Sequence, residues 1–264
     1  MKNVLLLTAW RCGVALILAS ATLSAAGPAG AASTLPEVVH VSFDGDTPGQ
    51  PPQTGGPNQP TYLEIRPGTS ILVHATAIGI TTQPAVITAQ TAGQYASIAT
   101  LFNPVSGGVV RIEATAAFDR LVDGYFFDTT AGSGPFPFAV VTRLITRDLG
   151  VIQDDGTRTT VGTYAPHQPL RFRIDIDMAT NTWSATVDNE MNGFDDDPVI
   201  ANLPFENPVE VLPTVGGAWA SLSLFPTPSE GPTAVAFDDI QVFVPPPVST
   251  ATSTSWGRVK SIYR

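Results

Sequence analysis

The run DNEMNGFDDD, residues 188–197, is the densest set of oxygen ligands in this sequence. Asp188, Glu190, Asn192 and Gly193 repeat the first half of a calcium-loop pattern, with side-chain oxygens at alternate positions and a glycine at the bend. Asp195 and Asp196 stand where they would close the shell. The pattern then fails: the twelfth position is Val199 rather than a bidentate glutamate, and the flanking residues alternate as strands. Two readings stay open here. One is a site for structural calcium, the one cofactor the sequence suggests; the other is a polar loop at the end of a hairpin. A second carboxylate set, Asp44 or Asp46 with Asp238 or Asp239, would join the first and last strands around a cation.

Trp219 offers different chemistry. In AWASLSLF it shares a face with Ser221, Ser223 and Phe225, while Ala218, Ala220, Leu222 and Leu224 take the other. Sugar sites stack aromatic rings on the pyranose face and add carboxylate, amide and guanidinium hydrogen bonds. The expected ligand-binding set is therefore Trp219, Ser221 and Ser223, with Arg171, Arg173 and Asp175 as polar contacts. The charged residues have an alternative, a solvated strand face laced with cross-strand pairs. Trp183 shares its face with Ala185 and Val187 and reads as core. No catalytic residue is assigned. Glu64, Glu113, Glu190, Glu206, Glu210 and Glu230 are scattered, there is no GxSxG or HExxH, and His40, His74 and His167 lie far apart.

These residues need strands to position them. From Leu170 to Asp177 apolar and charged residues alternate without a fault: Leu170, Phe172, Ile174 and Ile176 against Arg171, Arg173, Asp175 and Asp177. A period of two is the strand period. Residues 178–181 interrupt it, and alternation resumes with Trp183, Ala185 and Val187, so 170–189 reads as an antiparallel hairpin. Other strands are expected at 38–43, 62–66, 70–74, 86–88, 95–101, 109–117, 124–128, 139–146, 149–153, 157–164, 199–203, 209–214, 218–225 and 233–244. Residues 44–60, 132–137 and 154–156 read as turns. No mature segment shows ten or more residues of helical periodicity, and about fourteen short strands with no clear repeat point to two packed antiparallel sheets.

Composition agrees. The 264 residues include 24 prolines and 23 glycines, the mixture that many short strands and turns require. Lys2 and Arg11, the apolar run that follows and Ala29-Gly30-Ala31 form a secretory signal peptide over 1–31, too short in its core to span a membrane. The single cysteine, Cys12, leaves with it. Without Lys2 and Arg11, 11 basic residues face 23 acidic ones, a formal charge of −12, which excludes a nucleic-acid binder. The domain closes near 244. Residues 245–255 form a Pro/Ser/Thr linker, and 256–264, WGRVKSIYR, a basic tail with no apolar span to anchor it in a membrane.

Three features together resemble the concanavalin A-like lectin/glucanase jelly rolls of secreted bacterial proteins, laminin-G-like members included. They are the opening strand with SFDGDTPG at 42–49, the central hairpin with its Asn-Thr-Trp turn exit and Val187-Asp188, and the closing strand AFDDIQV at 236–242. The resemblance covers 38–244. It implies an all-β, two-sheet antiparallel sandwich with a concave face that often binds glycans, and structural calcium near the chain termini. Glucanases of this superfamily carry a Glu-x-Asp-x-(x)-Glu set on one strand, which this chain lacks. The expectation is a secreted, non-catalytic module that binds glycan or cell-surface polysaccharide. Its rivals are a structural or adhesive surface protein and a divergent glycoside hydrolase.

Overall fold

The computed structural model describes residues 35–121, 124–131, 139–147, 150–153, 160–205, 214–224 and 232–246. The expected signal peptide, most of the expected linker, the basic tail, all but residue 214 of the strand expected over 209–214, and the turns expected at 132–137 and 154–156 lie outside these residues.

Fifteen strands run through the described chain: β1 (Glu37–Val41), β2 (Tyr62–Ile65), β3 (Thr69–Val73), β4 (Ala85–Ala89), β5 (Tyr95–Val105), β6 (Val109–Phe118), β7 (Gly124–Ala131), β8 (Ala139–Arg147), β9 (Gly150–Gln153), β10 (Thr160–Thr163), β11 (Leu170–Asp177), β12 (Thr182–Asp188), β13 (Ile200–Pro204), β14 (Val215–Leu224) and β15 (Thr233–Phe243). They form two sheets, antiparallel throughout. The first has the order β13-β12-β11-β6-β15-β4-β3, with β1 also paired to β15; the second has the order β10-β9-β8-β7-β14-β5-β2. Among the described residues no helix is long and apolar enough to cross a membrane.

The alternation of β11 becomes burial directly. Leu170, Phe172, Ile174 and Ile176 are fully buried, and the residues between them are not. The hairpin closes in the expected register, from Arg171 opposite Asp188 to Asp177 opposite Thr182. Its turn is held by Asp177, whose carboxylate accepts the Ala179 N–H at 2.8 Å, and by Asn181 at φ 54°, a left-handed conformation asparagine tolerates.

The core lies between the sheets. The first contributes Ile112, Phe172, Ile174, Val235 and Phe237; the second contributes Ile98, Phe127, Ala220 and Leu222. Phe127 and Phe172 meet edge to face across the gap, centroids 4.7 Å apart, a favoured aromatic geometry. Trp183 is 1% exposed, and its indole N–H donates to the Pro204 carbonyl at 2.8 Å, so its one polar atom is satisfied inside the core. β5 extends to Val105, beyond the Leu101 expected from its pattern, because Val105 pairs with Val215 past an irregularity in β14.

Candidate functional site

The expected ligand-binding residues fall on opposite sides of the sandwich. Arg171, Arg173 and Asp175 project from the outer face of the first sheet. Trp219 and Ser221 project from the outer face of the second, since Ala218, Ala220 and Leu222 fill the core. The backbone of Ser223 continues that strand, opposite Tyr95. The six residues cannot line one site, because a packed core separates the two groups.

On the first sheet the charges are used on one another. Register sets Arg173 opposite Glu113 and Asp175 opposite Arg111. Arg111 grips Asp175 through Nε at 2.6 Å and Nη2 at 2.9 Å, and this hydrogen bond raises the guanidinium pKa against the opposing effect of burial. Glu113 is 5% exposed. It accepts from Arg171 Nη2 at 2.6 Å and from Arg173 Nε at 2.8 Å. Charge-assisted bonds of this length are the strong class. Both guanidinium groups then lie over the ring of Phe194, at 5.0 and 4.0 Å, within cation–π range.

Phe194 belongs to the acidic loop, and that loop is organised from within. Asp188 is fully buried. Its Oδ1 accepts the N–H groups of Glu190 (3.1 Å), Met191 (2.6 Å) and Asn192 (3.3 Å), and its Oδ2 accepts that of Gly193 (2.9 Å). Asn192 Nδ2 donates to Glu190 at 3.4 Å and to Asp196 at 3.2 Å. The lead oxygen ligand of the calcium pattern therefore accepts four backbone N–H groups and organises the loop's own backbone. Asp195 has no hydrogen bond to this set. Among the described residues no group of three or more His, Cys, Asp or Glu side chains is arranged to hold a metal ion.

The terminal aspartates likewise accept hydrogen bonds from their own surroundings. Asp238 is 2% exposed and accepts from the Thr82 hydroxyl and from the Asp239 N–H at 2.9 Å. Burial, assisted by Asp239 and Asp44, pushes its carboxyl up to about 6 against the lowering hydrogen bonds. Asp239 sits at φ 50° where the pairing of β15 with β6 shifts, and lies 3.2 Å from His40 Nε2. Asp44 accepts from the Ser42 hydroxyl at 3.0 Å, and Asp46 from the Gln53 N–H at 3.2 Å.

The second sheet's outer face is built differently. Tyr62, Ala99, Trp219 and Asp128 stand in one row across β2, β5, β14 and β7. Glu64, Ser97 and Ser221 form the next row, and Tyr95 follows one row beyond. Ala99, Ser97 and Ser221 are small and buried, so they make a floor between the rings. Across Ala99 the rings of Tyr62 and Trp219 pack at 5.2 Å and 81°, leaving Trp219 half-buried. Beside the indole, Gly217 makes room for Thr130: a Cβ there would stand 2.7 Å from Thr130 Oγ1. The Trp219 Nε1 is buried and has no hydrogen-bond partner.

Arg66 closes the rim. It holds one Glu64 oxygen through Nε at 2.8 Å and Nη2 at 2.6 Å, and its guanidinium lies 5.3 Å from the Tyr95 ring centre. Burial pushes the Tyr62 phenol up to about 12, with Tyr95 and Glu64 adding to it. Burial raises Tyr95 too, assisted by the Glu64 and Asp128 carboxylates and opposed by the Arg66 guanidinium. At neutral pH both phenols are protonated donors rather than bases. Sequence reasoning missed Tyr62, Glu64, Arg66, Tyr95 and Asp128. The alternation in YLEIR and YASIATL placed each trio on one side of its own strand; only the pairing of β2 with β5 and β5 with β14 brings them to Trp219.

No protein-family model matches this sequence, and no curated protein matches it. Solved structures do share the fold. An endo-β-1,4-glucuronan lyase from the fungus Trichoderma reesei superposes with a TM-score of 0.53 at 11% identity, covering 75% of this chain and 96% of the lyase. A family 7 alginate lyase matches at 0.43 and 10% identity, over 60% of this chain and 79% of its own. A sialidase matches at 0.46 and 11% identity over 66% of this chain, which spans only 17% of the sialidase. The chain is a two-sheet antiparallel β-sandwich, and it shares that fold with the glucuronan lyase.

Proposed function

We propose that this chain is a secreted, non-catalytic carbohydrate-binding module whose ligand lies across Tyr62, Trp219 and Tyr95. The observation that carries the reading is the aromatic shelf: two rings 5.2 Å apart over a floor of alanine and serine, with a third ring two rows on. The open face of an aromatic ring accepts a sugar ring, and the neighbouring hydroxyls supply hydrogen bonds. The glucuronan lyase of the same fold acts on a polysaccharide, which supports a carbohydrate ligand here without conferring the reaction. Binding without catalysis is favoured because the two phenols stay protonated at neutral pH and Glu64 is engaged by Arg66.

Affinity electrophoresis through gels containing different polysaccharides tests this. At least one polysaccharide is expected to retard the protein, and Trp219→Ala and Tyr62→Ala are each expected to weaken retardation about tenfold or more, roughly the 1.4 kcal/mol at stake in one well-packed ring. Circular-dichroism melting of both variants controls for folding. Retardation by no polysaccharide, or retardation that both folded variants keep, would move the reading to a structural or protein-binding sandwich.

A further inference from the structure

One margin of the core is left open. A groove of about 990 Å³ runs beside β1 and the end of β5, with residues 102–108 on one side and Val244, Pro245 and Pro246, which follow β15, as a wall. Val39, Phe102, Val105 and Val244 pack against the core yet stay only partly buried, and Val38 beside them is 48% exposed. Among the described residues the lining holds no charged side chain. Its size lies at the upper end of the roughly 300–1,000 Å³ of pockets that enclose a ligand, and covering apolar surface of this kind is favourable. Two contacts fix where the chain leaves the groove. The Val244 N–H donates to the Pro36 carbonyl at 3.2 Å, and Pro245 lies on Gly108, where a Cβ would stand 2.9 Å from the proline ring.

We infer that residues 256–264 of this same chain, WGRVKSIYR, dock in this groove. Length permits it. The nine residues 247–255 join Pro246 to Trp256, and a flexible chain of that length has an end-to-end distance of about 15–18 Å. So short a tether gives the segment an effective concentration in the millimolar range. Composition fits the lining. At about 100° per residue, Trp256, Val259, Ile262 and Tyr263 fall within about 120° of a helical circle, and Arg258, Lys260 and Arg264 fall outside it. Apolar side chains then meet an uncharged lining while the bases keep to water. Charge favours the same occupant. Of the 13 basic residues, Lys2 and Arg11 precede residue 32, three stand in 256–264 and eight stand between, among all 23 acidic ones. Next to the groove, Glu37 has a side chain 41% exposed and 3.8 Å from His40, and Asp177 stands opposite Val109 in register. A second copy of the sandwich would bring net negative charge to this place; the segment brings positive charge. The inference is independent of the carbohydrate reading, since Tyr62, Tyr95 and Trp219 do not line the groove.

Fluorescence of the full chain tests this. Cys12→Ser removes the one cysteine, and Ser106→Cys places a thiol on the exposed turn at the groove's side. A bimane label on that thiol is quenched by contact with a tryptophan. The labelled protein is expected to be at least twofold dimmer than the same protein carrying Trp256→Phe, with the ratio unchanged over a hundredfold dilution. Val38→Lys, at a half-exposed position, sets a cation against the segment's own cations and is expected to restore the brightness, with circular dichroism confirming its fold. Unlabelled Trp256→Ala is expected to melt about 2–4 °C below the native chain, as a tethered ligand of the folded state is lost. Equal brightness with and without Trp256, or a melting shift below about one degree, overturns the inference. Dimming that fades on dilution overturns it in favour of a second copy. Dimming that folded Val38→Lys keeps overturns the assignment of the segment to this groove.

Discussion

The two outer faces of the sandwich began as the same kind of object, a strand face alternating away from a core, and ended differently. The first sheet's face is roofed. Phe194 of the 188–197 loop covers Arg171 and Arg173, while Ile78 and Ile80 of the segment between β3 and β4 pack on Val86, Ala117 and Ala236. Gly79 lets that segment approach, since a Cβ there would meet the His167 carbonyl at 2.1 Å and φ is +85°. The second sheet's face keeps its rings at a half-exposed level over small residues. Charged residues at paired positions neutralise one another and recruit a cover; aromatic residues beside alanine and serine leave a surface with shape and little net charge. A concentration of charge in the sequence was therefore a poor guide to the face proposed to bind.

The comparison can be broken by mutation, beginning with the interior both faces share. Trp183→Ala should cost roughly 3–5 kcal/mol by denaturant unfolding, as the truncation of a fully buried aromatic that also orphans the Pro204 carbonyl. A loss below about 1 kcal/mol would remove Trp183 from the core. Glu113→Ala leaves Arg171 and Arg173 facing a buried gap and should cost about 2 kcal/mol, less than a wholly buried pair because both arginines keep some solvent. It should not alter polysaccharide retardation. If it weakened binding as much as Trp219→Ala does, the separation of the two faces would fail.

A smaller effect concerns pH. Asp238 titrates near 6 when folded, against about 3.9 for a free aspartate. The folded state holds that proton more tightly, so the group's stabilisation is complete below about pH 4 and is lost as pH rises through about 6. Melting temperatures measured from pH 4 to 7.5 should fall more in the native protein than in Asp238→Asn, which keeps a neutral side chain throughout. Equal slopes would show that Asp238 does not titrate in this window. The smallest expected effect is that of calcium. With the loop organised around Asp188 by four backbone amides, millimolar calcium or EDTA should shift the melting temperature by less than a degree or so, whereas a clear rise with calcium would assign the loop a cation site by mass action.

Much of the architecture was legible locally. Strict alternation in 170–177 became burial residue by residue, and the break at 178–181 became the turn. Trp183 and Trp219 were separable by the company each kept on its strand, one with alanine and valine, the other with serine. The charged positions of β11 were equally legible as an outward face, and cross-strand pairing stood as their alternative. Their partners were not readable, because Glu113 lies 58 residues from Arg171 and 60 from Arg173 in sequence.

The chain's own pattern thus determined the strand content, the inward and outward side of each well-patterned strand, the central hairpin and the core position of Trp183, because a pleated backbone sends neighbouring side chains to opposite faces. Tertiary structure alone decided that β2 and β5 carry Tyr62 and Tyr95 beside Trp219, that Arg171 and Arg173 lie behind the core from it, and that Asp188 turns to amides. Those outcomes depend on which strands become neighbours and how the loops fold back, and strand order is set by contacts between residues far apart in sequence rather than by the period of any one segment.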